Sequence, residues 1–106
     1  MNKIAVVTGG ASGIGAAICR YLARDGADIA IWDLNEEAMA SVAEEVRALG
    51  RKALCCRVDV SDRTVVTAAA NEVRKELGPV SILVNSAGIH ATGPNRLAGH
   101  GSLCGI

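Results

Sequence analysis

Short apolar runs alternate with longer amphipathic stretches along most of the chain. Within the amphipathic stretches, apolar residues recur at intervals of three and four positions, as on one face of a helix. The runs are almost continuously apolar, which is typical of strands covered by helices on both faces of a sheet. The pattern predicts strands at residues 3–8, 27–32, 52–58 and 80–84, and helices that end near Gly26, Gly50 and Gly78.

Helix start signals support the same division. Asn35 stands before Glu36 and Glu37, so that an N-cap is followed by acids that suit the positive end of the helix dipole. Ser61 and Asp62 repeat this arrangement before the third helix. Strand–helix–strand units repeated in this way imply right-handed crossovers and a doubly wound parallel α/β sheet of the Rossmann type.

The last part of the chain breaks the pattern. Residues 91–106 contain four glycines and a proline, and show neither helical nor strand periodicity. Four strands are about half of the usual six-stranded doubly wound sheet. We expect residues 1–90 to form a half-domain and residues 91–106 an irregular tail, interpreted either as a mobile terminus or as the product of truncation or a frameshift near His90.

A glycine cluster, VVTGGASGIG at residues 6–15, follows the first strand and opens the first helix. Gly9 is expected to make the turn, and Gly13 to let a phosphate approach the unpaired N–H groups at the helix N-terminus. Gly15 is expected to let the helix pack closely on the sheet. Asp33, at the end of the second strand, can accept hydrogen bonds from a ribose diol. These residues predict a dinucleotide site; the alternatives are a purely structural glycine turn and a solvated aspartate.

Four motifs together resemble the short-chain dehydrogenase/reductase family, in its order and at its customary intervals: TGGASGIG (8–15), Asp33, DV (59–60) and NSAG (85–88). The resemblance covers residues 1 to about 90, and it is most similar in texture to the 3-oxoacyl reductase and hydroxyacyl-CoA dehydrogenase members. It implies that residues 1–90 bind NAD or NADP. It also implies an oxidoreductase that transfers a hydride between this cofactor and a carbonyl or alcohol substrate.

The resemblance also implies a role for each matching position. The pyrophosphate and its flanking ribose would be held by Gly9, Ser12, Gly13, Ile14 and Gly15. The adenosine ribose would contact Asp33 and Leu34, the adenine Asp59 and Val60, and the underside of the cofactor Asn85, Ala87 and Gly88. Ser86 stands where the family usually has a second asparagine, a mild departure that we do not interpret as loss of binding.

The choice between the two cofactors follows from charge. The 2′-phosphate of NADP would meet the carboxylate of Asp33 at close range. Accepting that phosphate normally needs a neighbouring arginine or lysine, but position 34 is leucine and position 12 is serine. The sequence therefore favours NAD.

The catalytic residues of the family have no counterpart in this chain. Its members use a tyrosine as general acid/base and a lysine four residues later, whereas the only tyrosine here, Tyr21, is followed at that interval by Asp25. We expect Tyr21 on the apolar face of the first helix, and Trp32 in the core, with the wall of the adenine pocket as the alternative. His90 and His100 lack the partners of a triad or metal site. The sequence predicts no catalytic residue and no activity for this chain alone.

Composition and charge limit the classes of binding partner that we expect. The formal net charge is zero without a long basic run, so nucleic acid and anionic membranes are not expected as partners. No signal peptide or membrane span is recognisable, which predicts a cytoplasmic protein, with a homo-oligomer expected only for a longer parent. The cysteines lack metal-binding spacing and are expected to be reduced core thiols: Cys19, Cys55, Cys56 and Cys104.

Three hypotheses of function remain at this stage. The first is an NAD-dependent oxidoreductase, present here as its N-terminal fragment. The second is a non-catalytic nucleotide-binding module. The third, and weakest, is a methyltransferase, because such proteins typically carry an acid on the first strand where this chain has Thr8.

Overall fold

The predicted alternation of strands and helices is present in a computed structural model, which describes residues 3–86 and the backbone of residues 104–105. The strands are β1 (Lys3–Thr8), β2 (Ala27–Asp33), β3 (Ala53–Arg57), β4 (Ile82–Asn85) and β5 (Cys104–Gly105). The helices are α1 (Gly13–Arg24), α2 (Glu36–Ala48) and α3 (Arg63–Glu76). The prediction for the fourth strand began too early, because Gly78 and Pro79 form the preceding turn and the first bond to β1 is the one that Ser81 N–H donates to the Ile4 carbonyl, at 2.8 Å.

The sheet has the order β4-β1-β2-β3-β5. The first four strands run parallel, with β1 between β2 and β4. This order and the intervening helices confirm the doubly wound α/β prediction. The short strand β5 runs antiparallel to β3 and places the backbone of Cys104 opposite Cys56. Periodicity did not predict β5, since two residues are too few to show an alternation.

Helices cover both faces of the sheet, as the continuous apolar runs predict. One core lies between the sheet and the helices α1 and α2, and it includes Val7, Ile29, Ile31, Met39 and Val46. The other lies under α3 and includes Val6, Trp32, Leu54, Ala69 and Val73. The two cores fix the positions of the strand ends. In sheets of this type, ligands bind at the edge formed by the carboxyl ends of the strands.

Two aromatic side chains differ in how they meet the predictions. Trp32 is 5% exposed, which confirms its place in the core, and its Nε1 has no hydrogen-bond partner among the described residues. The expectation for Tyr21 is wrong, because this side chain is 69% exposed. Although Tyr21 continues the helical spacing of Ile14, both residues lie on the part of α1 that faces away from the sheet.

The start of α2 is built as predicted, whereas the N-cap of α3 is Asp62 rather than Ser61. Asn35 Oδ1 accepts a hydrogen bond from Ala38 N–H at 3.0 Å, and Asp62 Oδ1 accepts from Thr64 and Val65 N–H at 3.1 and 3.2 Å. Each cap satisfies N–H groups that have no acceptor within the helix. The caps therefore fix where α2 and α3 begin, directly after the ends of β2 and β3.

The described cysteines include both free thiols and a disulfide-bonded residue. Cys19 and Cys55 are free thiols, as expected. Burial raises the pKa of Cys19 to about 12, and its thiol donates to the Gly10 carbonyl at 3.7 Å. Cys56 is disulfide-bonded, so the expectation of a reduced thiol is wrong at this position, where the unpredicted strand β5 lies alongside β3. None of the helices in the described part of the chain combines the length and the hydropathy needed to span a bilayer.

Candidate cofactor-binding site

The turn after β1 is fixed to the neighbouring strand by its backbone. Gly9 adopts φ 69°, a conformation that favours glycine. The N–H groups of Gly9 and Gly10 both donate to the carbonyl of Trp32 in β2, at 2.7 and 3.3 Å. These bonds direct the chain across the end of β2, so that α1 begins above the carboxyl edge of the sheet.

Gly10 and Gly15 both permit the close packing of this turn, but they pack against different parts of the structure. A Cβ on Gly15 would lie 2.0 Å from the carbonyl oxygen of Gly9, so α1 packs against the turn itself. A Cβ on Gly10 would lie 2.9 Å from Ile31 Cγ2 and 3.2 Å from Cys19 Sγ. Gly10 thus permits the close packing against the sheet that the motif predicts for Gly15. This difference between Gly10 and Gly15 could not be predicted, because both glycines fit the same motif.

The N-terminus of α1 is open. Ser12 is the N-cap residue, but its hydroxyl donates to the Gly9 carbonyl at 3.1 Å and does not cap the helix. The N–H groups of Gly13, Ile14 and Gly15 have no acceptor among the described residues. A Cβ on Gly13 would meet no atom of the described residues within 4 Å, so these residues leave the space before the donors free. Unpaired N–H groups at the positive end of a helix dipole form an anion site.

The carboxylate of Asp33 borders this anion site. Its Oδ2 accepts a hydrogen bond from Ala11 N–H at 3.0 Å, which ties the glycine-rich turn to the end of β2. Its Oδ1 accepts from the N–H groups of Leu34 and Asn35, at 2.7 and 3.2 Å. A carboxylate has about four acceptor positions, so three bonds leave capacity for a further donor such as a ribose hydroxyl. The sequence located Asp33 but not Ala11, because a backbone donor carries no residue signal.

The end of β3 adds a polar loop and two apolar side chains. Asp59 Oδ1 accepts hydrogen bonds from Ser61 N–H at 3.0 Å and from the Ser61 hydroxyl at 2.6 Å. Val58 N–H donates to the Asp33 carbonyl at 3.1 Å, which keeps the ends of β2 and β3 together. Leu34 and Val60 are 36% and 43% exposed at these ends. Exposed apolar side chains flanking a polar loop are suited to a planar, aromatic ligand.

The ends of β1 and β4 are joined by side chains. The Thr8 hydroxyl donates to Asn85 Oδ1 at 3.0 Å, and Thr8 and Asn85 are partners in the parallel register. The Ser86 hydroxyl donates to the Thr8 carbonyl. Thr8 was not predicted as a site residue, although the register of two strand ends is a signal that would have found it. The predicted site residues Ala87 and Gly88 lie outside the described residues.

The structure therefore brings most of the predicted site residues to one edge of the sheet: Gly9, Ser12, Gly13, Ile14, Gly15, Asp33, Leu34, Asp59, Val60 and Asn85. Within residues 3–86, no group of three or more histidine, cysteine or acidic side chains is arranged to hold a metal ion. The edge carries an anion site, a carboxylate and a polar loop in the order of the phosphates, ribose and base of a dinucleotide.

Comparison with known proteins identifies the family. Residues 3–99 match the family described as short chain dehydrogenase. The chain belongs to the short-chain dehydrogenase family. It is 44% identical over 93 residues to a short chain dehydrogenase of Pseudocercospora fijiensis, covering 88% of this chain and 30% of that protein. It is 42% identical over 88 residues to the 2,3-dihydro-2,3-dihydroxybenzoate dehydrogenase of Bacillus subtilis, covering 83% of this chain and 34% of that protein.

Solved structures of differently named proteins share the fold of this chain. NAD⁺-bound xylitol dehydrogenase has a TM-score of 0.74 at 32% identity, covering 76% of this chain and 31% of that one. A blue fluorescent protein from a metagenomic library, in complex with NADPH, has a TM-score of 0.73 at 42% identity, covering 76% of this chain and 34% of that one. The chain thus spans about a third of the length of these proteins. Because the neighbours include complexes with either cofactor, a nicotinamide cofactor is supported for the family, but a preference for NAD is not.

Proposed function

We propose that this chain is the NAD(H)-binding part of a short-chain dehydrogenase that transfers a hydride between the cofactor and a carbonyl or alcohol substrate. One observation carries the proposal. Three unpaired N–H groups at the start of α1 and the carboxylate of Asp33 lie at the same edge of the sheet, tied together by the Ala11–Asp33 hydrogen bond. This pairing offers donors to a pyrophosphate and an acceptor to the adjoining ribose.

The remaining contacts follow from the positions of the strand ends. The pyrophosphate is held by the backbone around Gly13 and Gly15, with Gly9, Ser12 and Ile14 shaping the space beside it. The adenine lies between Leu34 and Val60, near the Asp59 loop, because these side chains are exposed at neighbouring strand ends. Asn85 supports the cofactor from β4, fixed by Thr8, and we extend this part of the site to Ala87 and Gly88.

NAD is the preferred cofactor in this proposal. A ribose 2′-hydroxyl can donate to Asp33 Oδ2, which accepts a single hydrogen bond in the structure. A 2′-phosphate in the same place would carry its charge against the carboxylate, in a partly desolvated setting where the repulsion is stronger than in water. Similar proteins bind either cofactor, so the preference depends on this local charge.

The chain supplies binding rather than the whole reaction. Its residues hold and orient the cofactor, whose nicotinamide ring accepts or donates the hydride when bound. Proton transfer to the substrate oxygen needs a general acid/base, and Tyr21, the only tyrosine of the 106 residues, is 69% exposed on α1 and is followed at the fourth position by Asp25. We therefore propose that the 106-residue chain binds NAD(H) without turnover. A nucleotide-binding module that acts without catalysis is the second candidate, favoured by the same missing tyrosine and lysine.

The single tryptophan provides a direct test of binding. Trp32 immediately precedes Asp33, so bound NADH should accept excitation energy from its indole. We expect saturable energy transfer with the 106-residue chain, and an affinity about tenfold weaker in a Gly13→Asp variant, whose carboxylate enters the space before the α1 donors. Ala40→Asp, at an exposed position of α2, adds the same charge elsewhere and should change the affinity by less than about twofold. NADH should not be oxidised when a ketone or 3-oxoacyl thioester is added.

Two results would contradict the proposal. Absence of saturable transfer with the folded chain would exclude the binding site, and equal affinities of Gly13→Asp and Ala40→Asp would place it elsewhere. Turnover that follows the concentration of the chain and disappears in Gly13→Asp would show that the chain is itself a catalyst.

A further inference from the structure

An ion pair lies at the outer border of the cofactor site. Arg57, the last residue of β3, is the direct partner of Asp33 in the parallel register. Residues paired in this way point to the same face of a sheet, about 4.8 Å apart across the strands. The guanidinium of Arg57 does not contact Asp33; its Nη1 lies 3.1 Å from Oε2 of Glu36, in the first turn of α2.

This ion pair is open to exchange. The side chains of Arg57 and Glu36 are 39% and 65% exposed, and exposed pairs of this kind contribute little to stability. A guanidinium binds a phosphate at least as well as a carboxylate, because its planar fork matches two of the phosphate oxygens. Arg57 is therefore a cation that an incoming phosphate can take from Glu36.

The position of the pair decides which phosphate this is. The 2′-position of the ribose faces Asp33 in the proposed site, and Arg57 lies on the strand beside Asp33. Glu36 and Glu37 add negative charge in the first turn of α2, which follows Asp33 after two residues. A 2′-phosphate thus meets the carboxylates of Asp33 and Glu36, while the cation that would offset them is engaged.

We propose that Glu36 is a second specificity-determining residue, which disfavours a 2′-phosphate by holding Arg57 in an ion pair. The inference rests on the proposed function, because it assigns a role to residues beside the ribose of that site. It also explains why leucine at position 34 does not by itself exclude NADP: a cation is present, supplied by β3 and neutralised by α2. Removing the charge of Glu36 releases Arg57 for the phosphate.

Two nucleotide probes isolate the 2′-phosphate, since NADP⁺ differs from NAD⁺ by that group alone. Both are titrated into the 106-residue chain at fixed ionic strength, by calorimetry or amide NMR shifts. In Glu36→Gln we expect the affinity for NADP⁺ relative to NAD⁺ to rise about five- to tenfold, the range of one charge-assisted contact. Glu37→Gln is the matched control, because it removes the same charge from the same helical turn at an exposed position. Its ratio should change by less than about twofold.

The double variant Glu36→Gln/Arg57→Gln distinguishes release of Arg57 from a general loss of charge. Its ratio should return to the native value or below it. Equal ratios in Glu36→Gln and Glu37→Gln, or a gain that persists in the double variant, would overturn the inference while NAD⁺ binding still supports the proposed function. If NAD⁺ binds neither the native chain nor any variant, the proposed function fails, and the inference fails with it.

Discussion

Gly13 and Gly15 stand two residues apart in the first turn of α1, in opposite surroundings. The space at Gly13 is empty, whereas a side chain at Gly15 would overlap the Gly9 carbonyl. The same motif thus contains one glycine that serves a ligand and one that serves the fold. Their separate roles can be measured with the same substitution at each position.

We predict that Gly15→Ala destabilises the chain and that Gly13→Ala does not. The Gly15 Cβ would meet backbone, which cannot move without displacing the turn, so the expected loss is about 1–3 kcal/mol of unfolding free energy. At Gly13 the change should lie within about 1 kcal/mol, because alanine is the better helix former. Urea unfolding followed by far-UV circular dichroism measures both values. Equal stabilities would show that the close approach at Gly15 is relieved by a small shift of the turn.

Residues that act through their own side chain could be predicted from the sequence, and residues that act through a distant partner could not. Asp33 was found because an acid at the end of the second strand has a known use beside a glycine-rich turn. Thr8 was missed because its role depends on Asn85, which is 77 positions away. Arg57 was missed for a similar reason, since only the strand register shows that a cation lies beside Asp33.

At the scale of elements, β4 is the least buried of the four parallel strands. It is an edge strand of the sheet. Leu83 lies on the face against which α3 packs, but its side chain is 68% exposed. Val80, just before the strand, is 42% exposed. An apolar strand edge presents unpaired backbone groups to other chains.

We predict that the 106-residue chain self-associates through β4 and that Leu83→Lys reduces this association. A charged side chain on an edge strand opposes pairing with a second copy. Sedimentation velocity over a concentration series measures the effect, and Ala40→Lys, at an exposed position of α2, is the control for added charge. A native chain that stays monomeric, or an equal effect of both lysines, would show that β4 is not the contact.

Elements could be predicted more closely than their surroundings. The existence of the four parallel strands, the start of α2 and the three closing glycines follow from local patterns, because each depends on a few neighbouring residues. Exposure of Tyr21 did not follow, since helical spacing shows which residues share a face but not how far the sheet beneath extends. The pairing of β5 with β3 has no local signal at all.

In the whole molecule, the carboxyl ends and the amino ends of the parallel strands form two edges of very different character. The carboxyl edge holds the α1 donors and Asp33, and the opposite edge holds Asp28, a carboxylate 2% exposed that accepts from Arg51 Nε at 3.2 Å. A cavity of about 260 Å³ at this opposite edge is lined by Lys52, Leu77 and neighbouring residues. Unpaired donors and strand topology favour the carboxyl edge.

Titration of the ¹⁵N-labelled chain with NAD⁺, followed by amide NMR, tests this assignment most directly. We expect saturable shifts that are largest for the N–H groups of Gly13, Ile14 and Gly15, followed by Ala11 and Leu34, whose N–H groups both donate to Asp33. Amides at the opposite edge, in residues 51–54, should not shift. Shifts concentrated around the cavity at residues 51–54, or no saturable shift at the start of α1, would contradict the account.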